Sequence, residues 1–183
     1  PKKRPTADGE VIPHEKCWAK TLPDGSPGIS VRDHCLNVGC VAEALLELLP
    51  PRLRMLLPPS AATLAALHDV GKPSPGFQAK APKWLEERGL TERALLERWK
   101  VRESDHAKIS QFTLQELFDR SALHPWAAIL GAHHGRIKGE RVQLHEPWEE
   151  ERRRLSAELI QEFGRLPGRR PDEAMLWFVA GLI

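Results

Sequence analysis

From residue 31 onward, apolar positions recur at helical spacing and are broken by short runs of Pro, Gly and charge. Val31 to Leu49 places Cys35, Val38, Val41, Ala42, Leu45 and Leu48 on one stripe before Pro50-Pro51, which predicts a helix ended by proline. A second apolar run, Ala61 to Leu67, opens after Pro58-Pro59-Ser60 and closes at Gly71. A helix is expected there, with Ser60 as N-cap and Gly71 as stop. Pro73 to Lys83 reads as a loop broken by Pro75-Gly76 and Pro82, with short helices following at Pro82 to Arg88 and from Thr91 to about Arg102. Ser104 or Asp105 is placed to cap a helix running to about Arg120, whose inner side carries Ile109, Phe112, Thr113, Leu117 and Phe118. Pro125 suits the first position of a helix from Trp126 to His134, Pro147 starts one that ends at Gly164, and Pro171 starts the last.

Residues 1–30 show little periodicity; Trp18 is their expected anchor, and His14 is expected at the surface. β-branched residues and period-2 alternation are scarce, so no strand is predicted. The fold class expected is all-α, one domain over residues 1–183 built from roughly seven or eight helices. The triplet Arg152-Arg153-Arg154 lies beside Glu149-Glu150-Glu151 and reads as an exposed, salt-bridged helix face.

Composition narrows the class without naming a chemistry. The 183 residues are 41% hydrophobic and 28% charged, with a net charge of only +2. Any affinity for nucleic acid must therefore come from local clusters, such as the loop holding Arg136, Lys138 and Arg141, or Lys80 and Lys83 with Trp84 as a stacking face. Three cysteines without a CxxC pair imply a reducing compartment, which for this chain means the cytoplasm. No uncharged stretch reaches the ~18 residues of a membrane span. The chain opens without Met and ends in the apolar run Met175 to Ile183, so a longer parent polypeptide is expected.

The histidines change the picture more. His34, His68, His106 and the pair His133-His134 each fall at an inward position near a predicted helix end, and Asp69 follows His68 directly. Adjacent side chains on a helix project about 100° apart, so His68 and Asp69 share a site only around something small and charged. A divalent metal fits, since imidazole and carboxylate are its ligands. A structural zinc site needs four ligands in a closed shell; six candidates exceed that. Two ions sharing a carboxylate would use them all and could clamp a phosphoester. Nitrogen-rich ligation favours a transition metal, Fe, Mn, Ni or Co ahead of Mg, with one or two ions bound.

The ordered set resembles the HD superfamily of metal-dependent phosphohydrolases, and within it the HD nuclease domain of the CRISPR-associated type I helicase–nuclease. The residues carrying the resemblance are Trp18-Ala19-Lys20, His34, His68-Asp69-Val70-Gly71-Lys72, Phe77-Gln78-Ala79-Lys80, Asp105-His106, Ala132-His133-His134-Gly135 and the closing Leu176 to Ile183. It implies an HD-domain helical bundle with a metal site in the core cleft and a deoxyribonuclease that degrades single-stranded DNA in antiviral defence. It also implies a helicase domain in cis or in trans and an RNA-guided surveillance complex as partners. By the same resemblance His34, His68 and Asp69 hold one metal, and Asp69 bridges to a second held by His106, His133 and His134. The carboxylate that completes the first site in the family would lie beyond Ile183. Asp69 and Lys72 are assigned as catalytic, Lys72 through contact with a phosphate oxygen. The alternative is a phosphohydrolase of nucleotides or cyclic dinucleotides; the cyclic-dinucleotide branch carries Gly-Tyr-Pro after its His pair, whereas this chain continues Gly135-Arg136-Ile137 and has no Tyr.

Overall fold

Proline and short polar side chains set where the helices begin. The computed structural model describes residues 11–99, 103–118, 121–135, 139 and 144–183. In chain order its helices are α1 (Val31–Leu48), α2 (Pro51–Arg54), α3 (Ala61–Ala66), α4 (Pro75–Gln78), α5 (Pro82–Glu87), α6 (Glu92–Trp99), α7 (His106–Leu117), α8 (His124–Gly131), α9 (Glu146–Phe163) and α10 (Glu173–Leu182). Ser30, Asp105 and Asp172 accept backbone N–H bonds at the starts of α1, α7 and α10, which satisfies donors the helix itself cannot. Proline occupies the first or second position of α2, α4, α5, α8 and α9, where its missing N–H costs nothing.

The architecture is all-α. Ten α-helices among the described residues exceed the seven or eight expected, because α2 and α4 are single turns of 4 residues, too short to show a period. Isolated antiparallel bridges, Trp18 with Ser30 and Thr21 with Pro27, are the only extended pairings among the described residues. They fold the segment ahead of α1 into a flap. No helix among the described residues is long and apolar enough to cross a membrane. Cys17, Cys35 and Cys40 are all free.

The core centres on α3. Every one of its residues, Ala61 to Ala66, is buried. Small side chains let α1 approach from one side, and the Thr63 hydroxyl donates to Phe163 O at 3.0 Å, tying α3 to the end of α9. Ser60 is buried but makes no side-chain cap, so the expected N-cap is not the device that starts α3. On the other side α7 lies against α8. Gly131 makes this approach possible: a Cβ there would meet Gln111 Cβ and Ala107 O.

Two expectations are overturned by contacts between distant parts of the chain. His14 is buried, with Nδ1 at 3.0 Å from Glu151 and Nε2 at 3.3 Å from Glu158, so α9 draws it in from the surface position expected. Arg152 is 0% exposed and ion-paired with buried Glu103 at 2.9 Å, whereas Arg153 and Arg154 do form the expected ladder with Glu146, Glu149, Glu150 and Glu151. Arg152 also donates to Pro73 O at 3.0 Å, and the other oxygen of Glu103 accepts from His145 N at 2.6 Å. One guanidinium thus joins three segments that flank the histidines.

Because removing one partner strands a buried charge, Arg152→Met should cost about 3–5 kcal/mol, seen in calorimetry as a melting point lower by roughly 10 °C. Adding Glu103→Met should recover only part of this, since His145 N then loses its acceptor. A loss under about 1 kcal/mol for the single variant, the scale of a surface pair, would refute the clamp.

Candidate metal centre

The histidines reach one another because α3 tightens before it ends. Leu67–Asp69 is a 3-10 turn continuing α3, and all three residues are buried. Gly71 follows, but not as a left-handed stop: its φ is not among the positive values of this chain. Its role is space. A Cβ at Gly71 would strike His106 O and Ser110 N, backbone of the first turns of α7. Gly71 N donates to Ser110 Oγ at 2.8 Å across the same contact. The glycine therefore lets α7 bring His106 against the turn that carries His68 and Asp69. His34 comes from the first turns of α1, and His133 and His134 from the turn after α8.

Asp69 is the hub, 2% exposed. Its Oδ2 lies 2.9 Å from His34 Nε2, 3.0 Å from His68 Nε2 and 2.6 Å from Lys72 Nζ. Its Oδ1 lies 3.4 Å from His106 Nε2 and 3.3 Å from His133 Nε2. His134 Nε2 stands 2.9 Å from His106 Nε2. Two rings are aimed by main-chain carbonyls. His68 Nδ1 is 2.8 Å from Ala65 O and His133 Nδ1 is 2.7 Å from Leu130 O, each three residues back. A carbonyl can only accept, so in both rings Nδ1 carries a proton and the ring is turned with Nε2 toward the centre.

Electrostatics favour the ligating forms. Burial opposes ionisation of Asp69, but the imidazoles of His133, His34 and His68 outweigh it and hold the carboxyl well below the usual carboxylate range. Burial pushes His106 down to about 3 against the attraction of Asp69. Burial also lowers His34, opposed by its bond to Asp69, and lowers His134, with His133 adding to the effect. At neutral pH these three are uncharged, as a metal ligand must be.

The donor set fits a cation. Asp69 Oδ1 and His133 Nε2 are both buried, 3.3 Å apart, and neither has a hydrogen-bond partner of acceptable geometry. Buried polar atoms left without partners side by side are costly, and a positive ion there would give both a partner. Candidate ligand atoms fall into two groups meeting at Asp69: His34, His68 and Asp69, and His106, His133 and His134, each with its atoms within 4.8 Å of one another.

The other described residues singled out from sequence are engaged by protein partners. The Lys72 ammonium is 3% exposed and does not open to the cleft: it contacts Asp69 and donates to Ala19 O at 3.3 Å. Lys80 donates to Ser104 O at 2.8 Å and lies over Phe77, and Lys83 pairs with Asp24 at 3.1 Å. Trp84 offers no stacking face: it is 1% exposed, donates to Lys16 O, and is covered by Arg88. Arg136, Lys138 and Arg141 lie outside the described residues.

Gln78, a motif residue with no role assigned from sequence, is the latch of the flap. Its Oε1 accepts from Trp18 N, and its Nε2 donates to Trp18 O and Lys72 O, all at 3.0 Å. Trp18 Nε1 returns a bond to Gln78 O, and its ring stacks on Phe77, which meets His106 edge-on. A buried Gln whose amide satisfies three backbone groups betrays itself in sequence only as a polar residue beside an apolar one.

Residues 18–183 match the family described as Cas3, HD domain. The CRISPR-associated endonuclease/helicase Cas3 of Thermus thermophilus is 33% identical over 175 residues, an alignment covering 80% of this chain and 18% of that protein. The chain thus spans under a fifth of the length of this relative. No solved structure matches the chain.

Since backbone atoms, not flexible side-chain ends, fill the space beside Gly71, Gly71→Ala should push α7 off the 3-10 turn. The expected cost is about 1–3 kcal/mol, with divalent-cation affinity falling by roughly tenfold or more. Unchanged melting and unchanged cation titration would show that the close approach is not required.

Proposed function

This chain belongs to the family of Cas3 HD domains, and from that membership we propose that it hydrolyses the phosphodiester backbone of single-stranded DNA. The observation that carries the reading is the buried carboxylate of Asp69 set among four imidazoles, with Oδ1 and His133 Nε2 lacking a hydrogen-bond partner. In this reading His34, His68 and Asp69 hold one divalent transition-metal ion, and Asp69, His106, His133 and His134 hold another. Bound there, such ions supply Lewis acidity that neutralises phosphate charge and acidifies water.

The chain's own residues prepare that chemistry. Asp69 presents one oxygen to each half of the cluster. Ala65 O and Leu130 O fix the rings of His68 and His133, so these ligands need little reorganisation when a cation arrives. The flap of Trp18 and Ala19, latched by Gln78, walls one side of the centre and limits water there. Exposed Lys80 and Lys83, with Arg136, Lys138 and Arg141, are the cations assigned to the DNA backbone.

The Thermus relative is named as both endonuclease and helicase. By that likeness the domain works with a helicase, in cis or in trans, and on DNA opened by an RNA-guided surveillance complex in type I CRISPR interference in the cytoplasm. Unwinding by the helicase would deliver the single strand that the centre cuts.

The test is cleavage of labelled single-stranded DNA by the purified protein with Mn²⁺, Co²⁺ or Ni²⁺, beside cyclic dinucleotides and mononucleotides as competing substrates. Cleavage of DNA that stops on chelation and returns with metal is expected. Asp69→Ala should lower the rate by about 100-fold or more and reduce bound metal. Turnover of nucleotides without DNA cleavage, or full activity of Asp69→Ala, would overturn the assignment.

A further inference from the structure

The two oxygens of Asp69 are not equivalent. Oδ2 has Lys72 Nζ at 2.6 Å besides His34 and His68, whereas Oδ1 has His106 Nε2 and His133 Nε2 at 3.4 and 3.3 Å and no hydrogen-bond partner. The ammonium is also not free to leave. Lys72 is 3% exposed, its Nζ donates to Ala19 O, and it lies 5.4 Å from the centre of the Phe77 ring. Its backbone O accepts from Gln78, the residue that latches Trp18 next to Ala19. Each partner of the ammonium is thus held by a further bond. A buried charge so placed is little screened by salt, and swinging it outward would break both of its bonds.

We propose that Lys72 makes the two halves of the His/Asp cluster unequal, so that a divalent cation fills the half built from Asp69 Oδ1, His106, His133 and His134 first. A second cation, at His34, His68 and Oδ2, binds more weakly because it meets an ammonium already seated on the shared carboxylate. Lys72 is then a positioning residue that sets how many ions the centre holds at a given concentration, and it stabilises Oδ2 when only one is bound. This rests on the reading of the cluster as a metal centre, but it does not depend on what substrate is cut.

The measurement is a calorimetric titration of chelator-stripped protein with Mn²⁺ and, separately, Co²⁺, with stoichiometry checked by elemental analysis. Wild type should bind one ion tightly and a second at least about tenfold more weakly. Lys72→Met keeps the length of the side chain and removes the charge. It should tighten the weaker step by about tenfold or more while leaving the tighter one within about threefold. Should that variant not fold, ligand deletions in the wild-type background decide: His34→Ala should spare the tight step, and His133→Ala should weaken it. Two equal steps in wild type, an unchanged ratio in Lys72→Met, or loss of the tight step in His34→Ala would each overturn the proposal. Binding of no ion by any of the proteins would overturn it together with the metal-centre reading. Unequal binding as described, with no DNA cut, would leave this inference standing and refute the proposed activity alone.

Discussion

Everything near the centre of this fold answers to one ionised carboxylate with almost no access to water. Burial alone would favour protonated Asp69, yet the imidazoles around it reverse the balance. An isolated buried charge is among the most expensive things a protein can contain. The neighbours that make it tolerable therefore have to be placed accurately, and most of the local structure can be understood as the means of placing them. The tightening of α3 at Leu67, the bare backbone of Gly71 and the carbonyls of Ala65 and Leu130 each fix a ring or remove an obstacle to one.

Around that inner arrangement lies an outer one made by parts of the chain that are far apart in sequence. The flap of residues 11–30 is fastened to α4 through Gln78 and to α9 through His14. Arg152 on α9 fastens Pro73 to Glu103, so the segment after Lys72 and the segment before His106 are held by the same guanidinium. A buried ion pair of this kind adds little net stability over a well-packed apolar pair, but it permits few alternative geometries. Here that restriction falls on the two segments whose separation sets the distance from Asp69 to His106.

The legible and illegible parts of the sequence divide along the same line. Several helix starts were readable because Asp105 and prolines such as Pro82, Pro125 and Pro147 act within a turn of their own position. The order of histidines was readable because each lies at an inward register near a helix end, and the structure brings four of them to Asp69 and the fifth, His134, to His106. What could not be read were contacts in which a polar residue is made inward-facing by a partner far away. His14 meets α9 residues more than 130 positions later, and Arg152 meets Glu103 across 49. Nothing in the period of α9 distinguishes Arg152 from Arg153, because the distinction lies in what faces them. Trp84 failed as a stacking face for the same reason: Lys16 O and Arg88 occupy both its polar edge and its ring. Gly71 was recognised for the wrong property, conformational freedom rather than lack of a side chain.

The charge count at the centre bears on how folding relates to metal. The Asp69 carboxylate and the Lys72 ammonium form a pair at 2.6 Å, and burial keeps His34, His106 and His134 neutral at ordinary pH. The carboxylate and ammonium cancel, so no large net charge needs a metal ion to balance it before the chain can fold. The apolar contacts of α3, with Leu64, Leu67 and Val70 all at 0% exposure, are likewise made by side chains that take no part in the cluster. Small zinc domains differ in this respect, since their ligand free energy is their folding free energy. In this chain the hydrophobic core and the Asp69–Lys72 pair hold the histidines in register, so a cation would enter an arrangement already built. The uncompensated feature is local: two buried, unpartnered atoms, Oδ1 and His133 Nε2, rather than an unbalanced charge over the whole cluster. On the proposed reading a first cation would satisfy those two atoms, and selectivity among cations would rest on the softness and geometry of the imidazoles more than on net charge.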